Sequence, residues 1–280
     1  MLGSKTMRPT LVAALCAILC AGPNAAFAQD DDWEFQEDPA RNISAAAVRF
    51  AGGQTVVVQC RDGALAAVLM GMPDSAEALE LMAGRGDGRS DSQTWSPAGT
   101  PGAYVSAAPG RSARFLRGGG PYSLRTAEGA TTPFQGEFGL PARSANLDRV
   151  LTGCGWATTD DRDGLARADD FVSVVNPDGP RRPPRRSSRS VTVRPRGPAP
   201  QQPSGEPVRA PAERLVSCIV RDLHLRECRA DHPASADNPD VVMTIRINEG
   251  RRVYPFEGSD AASGEGRVLH VVGSRMAVVD

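Results

Sequence analysis

No histidine occurs before position 224, and the chain holds only three, His224, His232 and His270. A histidine general base or a histidine-rich metal site is therefore excluded from most of the sequence. Aromatic residues make up only 5% of the chain, so a compact unit gains little of the large apolar area that Phe, Tyr and Trp bury. No Gly-x-Ser-x-Gly sequence is present, which leaves out a strained nucleophile elbow. No apolar run approaches the roughly 20 residues that a membrane-spanning helix requires. With a formal charge of −1, the molecule as a whole has no electrostatic bias toward nucleic acid.

What is present begins with a leader. Lys5 and Arg8 form a basic start, Leu11 to Ala21 a small and apolar core, and Ala26-Phe27-Ala28 a small-x-small cleavage site. Residues 1–28 thus read as a secretory signal peptide, with an uncleaved anchor as the alternative, and the expected location is periplasmic or secreted. Four cysteines follow it, Cys60, Cys154, Cys218 and Cys228, an even number suited to an oxidising compartment. Three pairings are possible. The long polar segment between Cys154 and Cys218 favours one bridge on each side of it, Cys60 with Cys154 and Cys218 with Cys228.

That polar segment, residues 177–212, holds ten prolines and eight arginines. It has too little apolar bulk to offset the entropy of folding, and its prolines favour an extended, disordered linker. It separates a β-rich domain over 29–176 from a second over 213–280, which is short enough to need a covalent staple. The expected class is mainly β with minor α, two small disulfide-stapled domains joined by the Pro/Arg-rich linker.

In the first domain, Thr55 to Cys60 and Leu65 to Met70 flank Asp62-Gly63, a hairpin signature. Ile43 to Phe50, Tyr122 to Thr126 and Thr132 to Phe138 read as further strands. Asp74-Ser75-Ala76-Glu77 resembles a reciprocal cap, predicting a short helix over Ser75 to Ala83. Leu147, Val150, Leu151 and Cys154 fall at helical spacing and predict a helix ended by Gly153 and Gly155. In the second domain, Arg214 to Val220 and Leu225 to Cys228 form a hairpin about Asp222-Leu223. Alternation across Met243, Ile245 and Ile247 predicts a strand over Val241 to Ile247, and Val268 to Val272 and Met276 to Val279 predict two more.

The hairpin from Cys218 to Cys228 resembles the cysteine-bounded hairpin of proteobacterial proteins with TonB-like carboxy-terminal domains. The general layout is also similar, an export segment, a proline-rich spacer and a small terminal α/β domain. That resemblance implies a periplasmic role in contact with an envelope partner, although Tyr254-Pro255 lies after the hairpin rather than before it. The first domain, with Trp33, the Cys60 hairpin and a terminal helix holding Cys154, is similar to small secreted modules of the invasion-associated locus B type.

Motifs for chemistry are sparse. Asp161, Asp163, Gly164 and Asp170 occupy EF-hand-like positions, but Thr159 and Ala166 break the pattern, so the stretch reads as a solvated acidic loop. Gly118-Gly119-Gly120 reads as a turn, Arg85-Gly86-Asp87 as an ordinary loop, and Asn42-Ile43-Ser44 as a possible glycan acceptor. The three histidines read as surface or half-buried strand residues, without metal-ligand spacing. No catalytic residue, cofactor or metal site is expected. The one group with a physical claim to binding is Arg181, Arg182, Arg185, Arg186, Arg189, Arg194 and Arg196, unscreened by neighbouring acids and suited to an anionic surface. The expectation is a non-catalytic exported envelope protein with an interaction or structural role. Its partner would be an envelope protein or an anionic surface of lipid headgroups or glycan, without nucleic acid and with at most peripheral membrane association. The alternative is an envelope-polymer hydrolase using carboxylates such as Asp161, Asp163 or Glu137.

Overall fold

The computed structural model describes residues 31–127, 129–168, 172–173, 214–256 and 264–272. The expected signal peptide, the linker arginines and the strand over Met276 to Val279 lie outside the described residues.

The first unit is one antiparallel sheet of nine strands: β1 (Glu34–Asp38), β2 (Ile43–Arg49), β3 (Thr55–Arg61), β4 (Ala64–Met70), β5 (Leu79–Arg85), β6 (Ser90–Pro97), β7 (Tyr104–Ser106), β8 (Gly120–Thr126) and β9 (Gln135–Leu140), in the order β1-β2-β3-β4-β7-β6-β5-β8-β9. Asp62 and Gly63 both adopt positive φ in the β3–β4 turn, the backbone a two-residue hairpin of right-handed twist demands. Phe50, just past β2, stacks at 4.5 Å on Phe138 of β9, although their strands stand near opposite ends of the order. The sheet therefore rolls over a single core containing Val56, Val58, Leu69, Leu81, Trp95, Tyr122 and Leu124.

Two helices close this core. Helix α1 (Pro109–Phe115) is wholly buried, and helix α2 (Ala145–Gly153) buries Leu147, Val150 and Leu151, the stripe its spacing predicts. Cys154, at its end, bridges to Cys60 of β3.

Ser75 to Ala83 is not a helix. The Ser75 hydroxyl only accepts the Glu77 N–H in a local turn, and the chain then enters β5 between β6 and β8. Leu79, Leu81 and Ala83 point inward in a two-residue period, so burial on a central strand outweighs the local capping signal.

The second unit is a three-stranded antiparallel sheet, β11 (Leu215–Arg221), β12 (His224–Ala230) and β14 (Val268–Val272), in the order β12-β11-β14. Cys218 and Cys228 are bridged across its hairpin. Val241 to Ile247 is not a strand but lies within helix α3 (Pro239–Asn248), where the Asn238 side chain accepts the Asp240 N–H and Pro239 fills the first turn. The helix buries Val241, Thr244 and Asn248, a spacing of three and four, so the alternating residues do not form its inner face.

The second core draws on residues that precede and follow positions 177–212 in the sequence. Ala168 and Val172 pack with Val216, Val220, Leu225, Val241, Val253 and Leu269. The N–H of Ala168 donates to Val268 O at 2.9 Å and the N–H of Val268 to Ala166 O at 2.9 Å, adding a short parallel edge beside β14. The two-residue strand β10 (Val172–Ser173) pairs with β13 (Tyr254–Pro255).

Candidate functional site

The titratable side chains of the described residues concentrate where the second sheet meets the first unit. Side chains alternate across β11: Val216, Cys218 and Val220 face the second core, while Ser217 belongs to the opposite face together with its cross-strand partners Arg229 and His270. Arg162, in the turn Asp161–Gly164, reaches that opposite face at Ser217.

Four arginines in this contact are buried, Arg111, Arg114, Arg162 and Arg167, and each has partners. Arg111 of α1 donates through Nε and Nη2 to Asp91 of β6 at 3.1 and 2.8 Å, and through Nη1 and Nη2 to the carbonyls of Arg162 and Leu165. Arg114, one helical turn further, holds Asp163 at 2.6 and 2.9 Å in a two-pronged pair. Arg162 donates to Ser217 O at 2.6 Å, to Ser217 Oγ at 2.9 Å and to the Glu227 carbonyl. A bulge breaks the β11–β12 register between Ser217 and Ile219, so Arg162 supplies donors where the ladder is interrupted. From the other side Arg229 of β12 reaches back to Asp160 at 2.5 Å and to Asp161. Arg167 donates to Ser92 O at 2.8 Å.

An aromatic contact completes the junction. Trp156 stacks at 4.7 Å on His232, whose Nε2 lies 3.2 Å from the Cys154 carbonyl. Gly155 is required between them: its φ is +77°, and a Cβ there would approach His232 Nε2 to 3.2 Å. A Cβ on Gly110 would lie 2.0 Å from the Trp156 ring, so a glycine in α1 makes the seat for the indole.

Breaking the deepest pair has a calculable consequence. Asp91 and Arg111 are 2% and 4% exposed at their side chains, and removing one partner strands the other in a poorly solvated site. Arg111→Met is expected to cost about 3–5 kcal/mol in urea unfolding, and Arg111→Met with Asp91→Leu is expected to recover much of that loss.

The second sheet also carries a buried acid–base pair. Asp231 and His270 approach to 3.9 Å with their side chains 4% and 6% exposed, and Asp231 Oδ2 and His270 Nδ1 have no hydrogen-bond partner. Burial pushes the Asp231 carboxyl up to about 6, with Asp160 and Asp163 adding to the rise and Arg114 and Arg111 opposing it. Burial, reinforced by Arg167, Arg111, Arg114 and Arg162, holds the His270 imidazole well below its ordinary range. The two act on stability with opposite sign. The Asp231 contribution is fully present below its ordinary value of 3.8 and is lost as pH rises through about 6. The His270 contribution is present above its ordinary value of 6.5 and is lost as pH falls. Between these limits they oppose each other. Asp231→Asn is expected to leave a stability that declines as pH drops below 6.5, and His270→Gln one that increases as pH drops below 6, each by at most about 1.4 kcal/mol per pH unit. Urea unfolding across pH 4 to 7 reads both slopes.

Ser217, His270 and Asp231 thus bring three residue types of a hydrolytic triad onto one face. Ser217 is 2% exposed, its hydroxyl is engaged by Arg162, and His270 is not hydrogen-bonded to Asp231. His270 and His232 are buried in the contact rather than set at a surface, while His224 is half-buried and its Nδ1 lies 2.7 Å from Asp222 O.

The remaining sequence candidates are dispersed. Asp161 and Asp163 lie in the 3-10 turn Asp161–Gly164, and their carboxylates face Arg229 and Arg114 rather than one another. The expected solvated acidic loop is instead an arginine-clasped joint, with Asp170 outside the described residues. Glu137 lies elsewhere, beside a cleft of about 390 Å³ lined by Arg49, Phe50, Gln54, Phe134 and Phe138. Arg85 of the Arg-Gly-Asp stretch is buried and donates to the carbonyls of Phe115, Gly118 and Gly119, so this tripeptide is a structural turn tie. Asn42 takes positive φ and donates to Asp62. Among the described residues no group of three or more His, Cys, Asp and Glu side chains could hold a metal ion, and no helix is long and apolar enough to cross a membrane. The seven arginines expected to bind an anionic surface, between Arg181 and Arg196, lie outside the described residues.

No protein-family model matches the chain, and no match is found among the curated proteins or the solved structures.

Proposed function

We propose that this is an exported envelope protein with an interaction role rather than a catalytic one. The observation that carries the reading is the use made of its buried charged side chains: Asp91, Arg111, Arg114 and Asp163 tie β6 and α1 to the segment Arg162 to Leu165, and Arg162 ties that segment to β11. Both bridges are compatible with an oxidising compartment. The residues 1–28 would be removed on export, and the linker arginines would supply electrostatic attachment to an anionic envelope surface, weakened by salt over a Debye length of about 8 Å. A TonB-like role in contact with an outer-membrane partner is the specific form of this reading that the Cys218 hairpin suggests.

Fractionation with mass spectrometry tests it. The expected result is a periplasmic or secreted chain starting at Gln29 with four bridged cysteines, which recovers an envelope component at low salt and releases it at high salt. A cytosolic chain retaining its leader, or one that recovers nothing at low salt, overturns the reading.

A further inference from the structure

The first sheet has two edges, β1 and β9, and the chain treats them differently. β1 is tied to α2, where Arg149 lies 4.1 Å over the Phe35 ring and donates to Glu37 at 2.7 Å. β9 pairs with β8 alone among the described residues, in an unbroken register. The N–H of Thr126 donates to Phe134 O at 3.0 Å, which fixes the phase of that ladder. Gly136, Phe138 and Leu140 turn their backbone groups to β8, and Gln135, Glu137 and Gly139 turn theirs outward. Pro121, opposite Gly139, agrees with this phase, since it has no N–H and its carbonyl accepts from Gly86 instead. Three outward sets of N–H and C=O groups are a template for another strand.

The same edge forms one wall of the cleft of about 390 Å³, whose lining includes every residue from Phe134 to Gly139 together with Arg49, Phe50 and Gln54. The rings of Phe134 and Phe138 close over Gly136, where a Cβ would approach them to 2.9 and 2.6 Å, and Phe50 stacks on Phe138. The inner side of the edge is therefore aromatic. Gly139 is a glycine of another kind. It does not take positive φ, and a Cβ there would meet nothing within 4 Å, so neither conformation nor crowding demands it, and its bare backbone leaves room for a second backbone to approach. On the outer side Glu137 is exposed and has no charged partner among the described residues. Arg49 is already paired with Glu34 at 3.7 Å, and Arg125, which shares the outer face, belongs to β8, away from the open edge.

We propose that β9 binds an extended segment of a partner polypeptide, added to the sheet as a further antiparallel strand, with alternate apolar side chains toward Phe50, Phe134 and Phe138 and a cation opposite Glu137. The inference rests on the interaction reading above and names the partner's chemistry. Main-chain bonds to Gln135, Glu137 and Gly139 supply affinity, and the alternation of side chains supplies selectivity.

The probe is the synthetic peptide acetyl-Thr-Val-Arg-Val-Thr-amide, titrated into the isotope-labelled mature chain, residues 29–280, and followed by amide NMR. Shifts are expected at Gln135, Glu137 and Gly139. N-methylation of the two threonines and the arginine is expected to abolish them, because those nitrogens face β9, whereas N-methylation of the two valines leaves them in place. Gly139→Pro, which removes only an outward N–H, is expected to weaken binding by up to about tenfold at an unchanged melting temperature. Glu137→Lys, at an exposed side chain, is expected to weaken it by about threefold and to favour the same peptide with glutamate in place of arginine. No shift at these amides at millimolar peptide overturns the proposal, as does binding that neither methylated form loses. A dimer in sedimentation equilibrium that Gly139→Pro dissociates also overturns it, since the edge would then pair with a second copy of this chain. Export is read separately by fractionation, so a cytosolic chain that binds the peptide and an exported chain that does not are distinct outcomes, the first sinking the envelope reading and the second the strand-addition site.

Discussion

A fragment of residues 213–280 is expected to show no cooperative unfolding transition on its own, despite carrying its own disulfide. The bridge closes a sequence separation of only 10, worth roughly 3 kcal/mol at most in the chain-entropy account, and the fragment loses more than that. Ala168 and Val172 leave its core, β13 loses its partner β10, and the bulge in β11 loses the guanidinium of Arg162 that satisfies Ser217 O and Glu227 O. Leu215 and Ile219, 2% and 6% exposed in the whole molecule, lose their cover. Adding a fragment of residues 29–176 in trans is expected to restore a cooperative transition and a dispersed amide spectrum. A fragment that melts alone with the same midpoint as the intact chain would show that the contact contributes nothing to its stability.

Cys154→Ser under oxidising conditions is expected to destabilise the first unit by about 4–5 kcal/mol, the largest effect of any single substitution considered. The Cys60–Cys154 bridge spans a sequence separation of 94, so its removal restores a large loop entropy to the unfolded chain. The effect should spread beyond the first unit, because the Cys154 carbonyl meets His232 and Trp156 stacks on that ring. Denaturant unfolding monitored by tryptophan fluorescence is expected to show the midpoint fall, with a fall at least as large on adding reductant to the parent protein, which opens both bridges. An unchanged midpoint in Cys154→Ser would remove the bridge from the account of stability.

Both sulfur pairings and most of the strands were legible in the chain itself. Asp62-Gly63 sets a positive-φ turn that few other dipeptides favour, and Leu147, Val150 and Leu151 follow the period of the helix they occupy. The second hairpin was legible from its flanking apolar runs rather than from its turn, where Asp222 and Leu223 both take positive φ and leucine gains nothing from doing so. Two segments were misread because short apolar stretches support either period. Leu79 to Ala83 carries a cap-like prelude yet is a central strand, and Val241 to Ile247 is rich in β-branched residues yet follows an Asn-Pro helix start. In each, the face that finds apolar neighbours decides the conformation, and those neighbours lie far away along the chain.

The charged joint was not legible at all. Arg111, Arg162 and Arg229 carry no local pattern that distinguishes them from surface arginines, and Asp161 and Asp163 resembled a metal loop because their spacing alone was visible. The amino-acid order determined on its own the alternation that makes strands, the glycines and turn residues that end them, and the even cysteine count that staples them, since each depends on residues a few positions apart. Only the tertiary structure decided which carboxylate each guanidinium meets and which polar face is sealed from water. The reason is that the cost of burying a charge is set by its partner, and here the carboxylate partners lie 20 to 69 positions away.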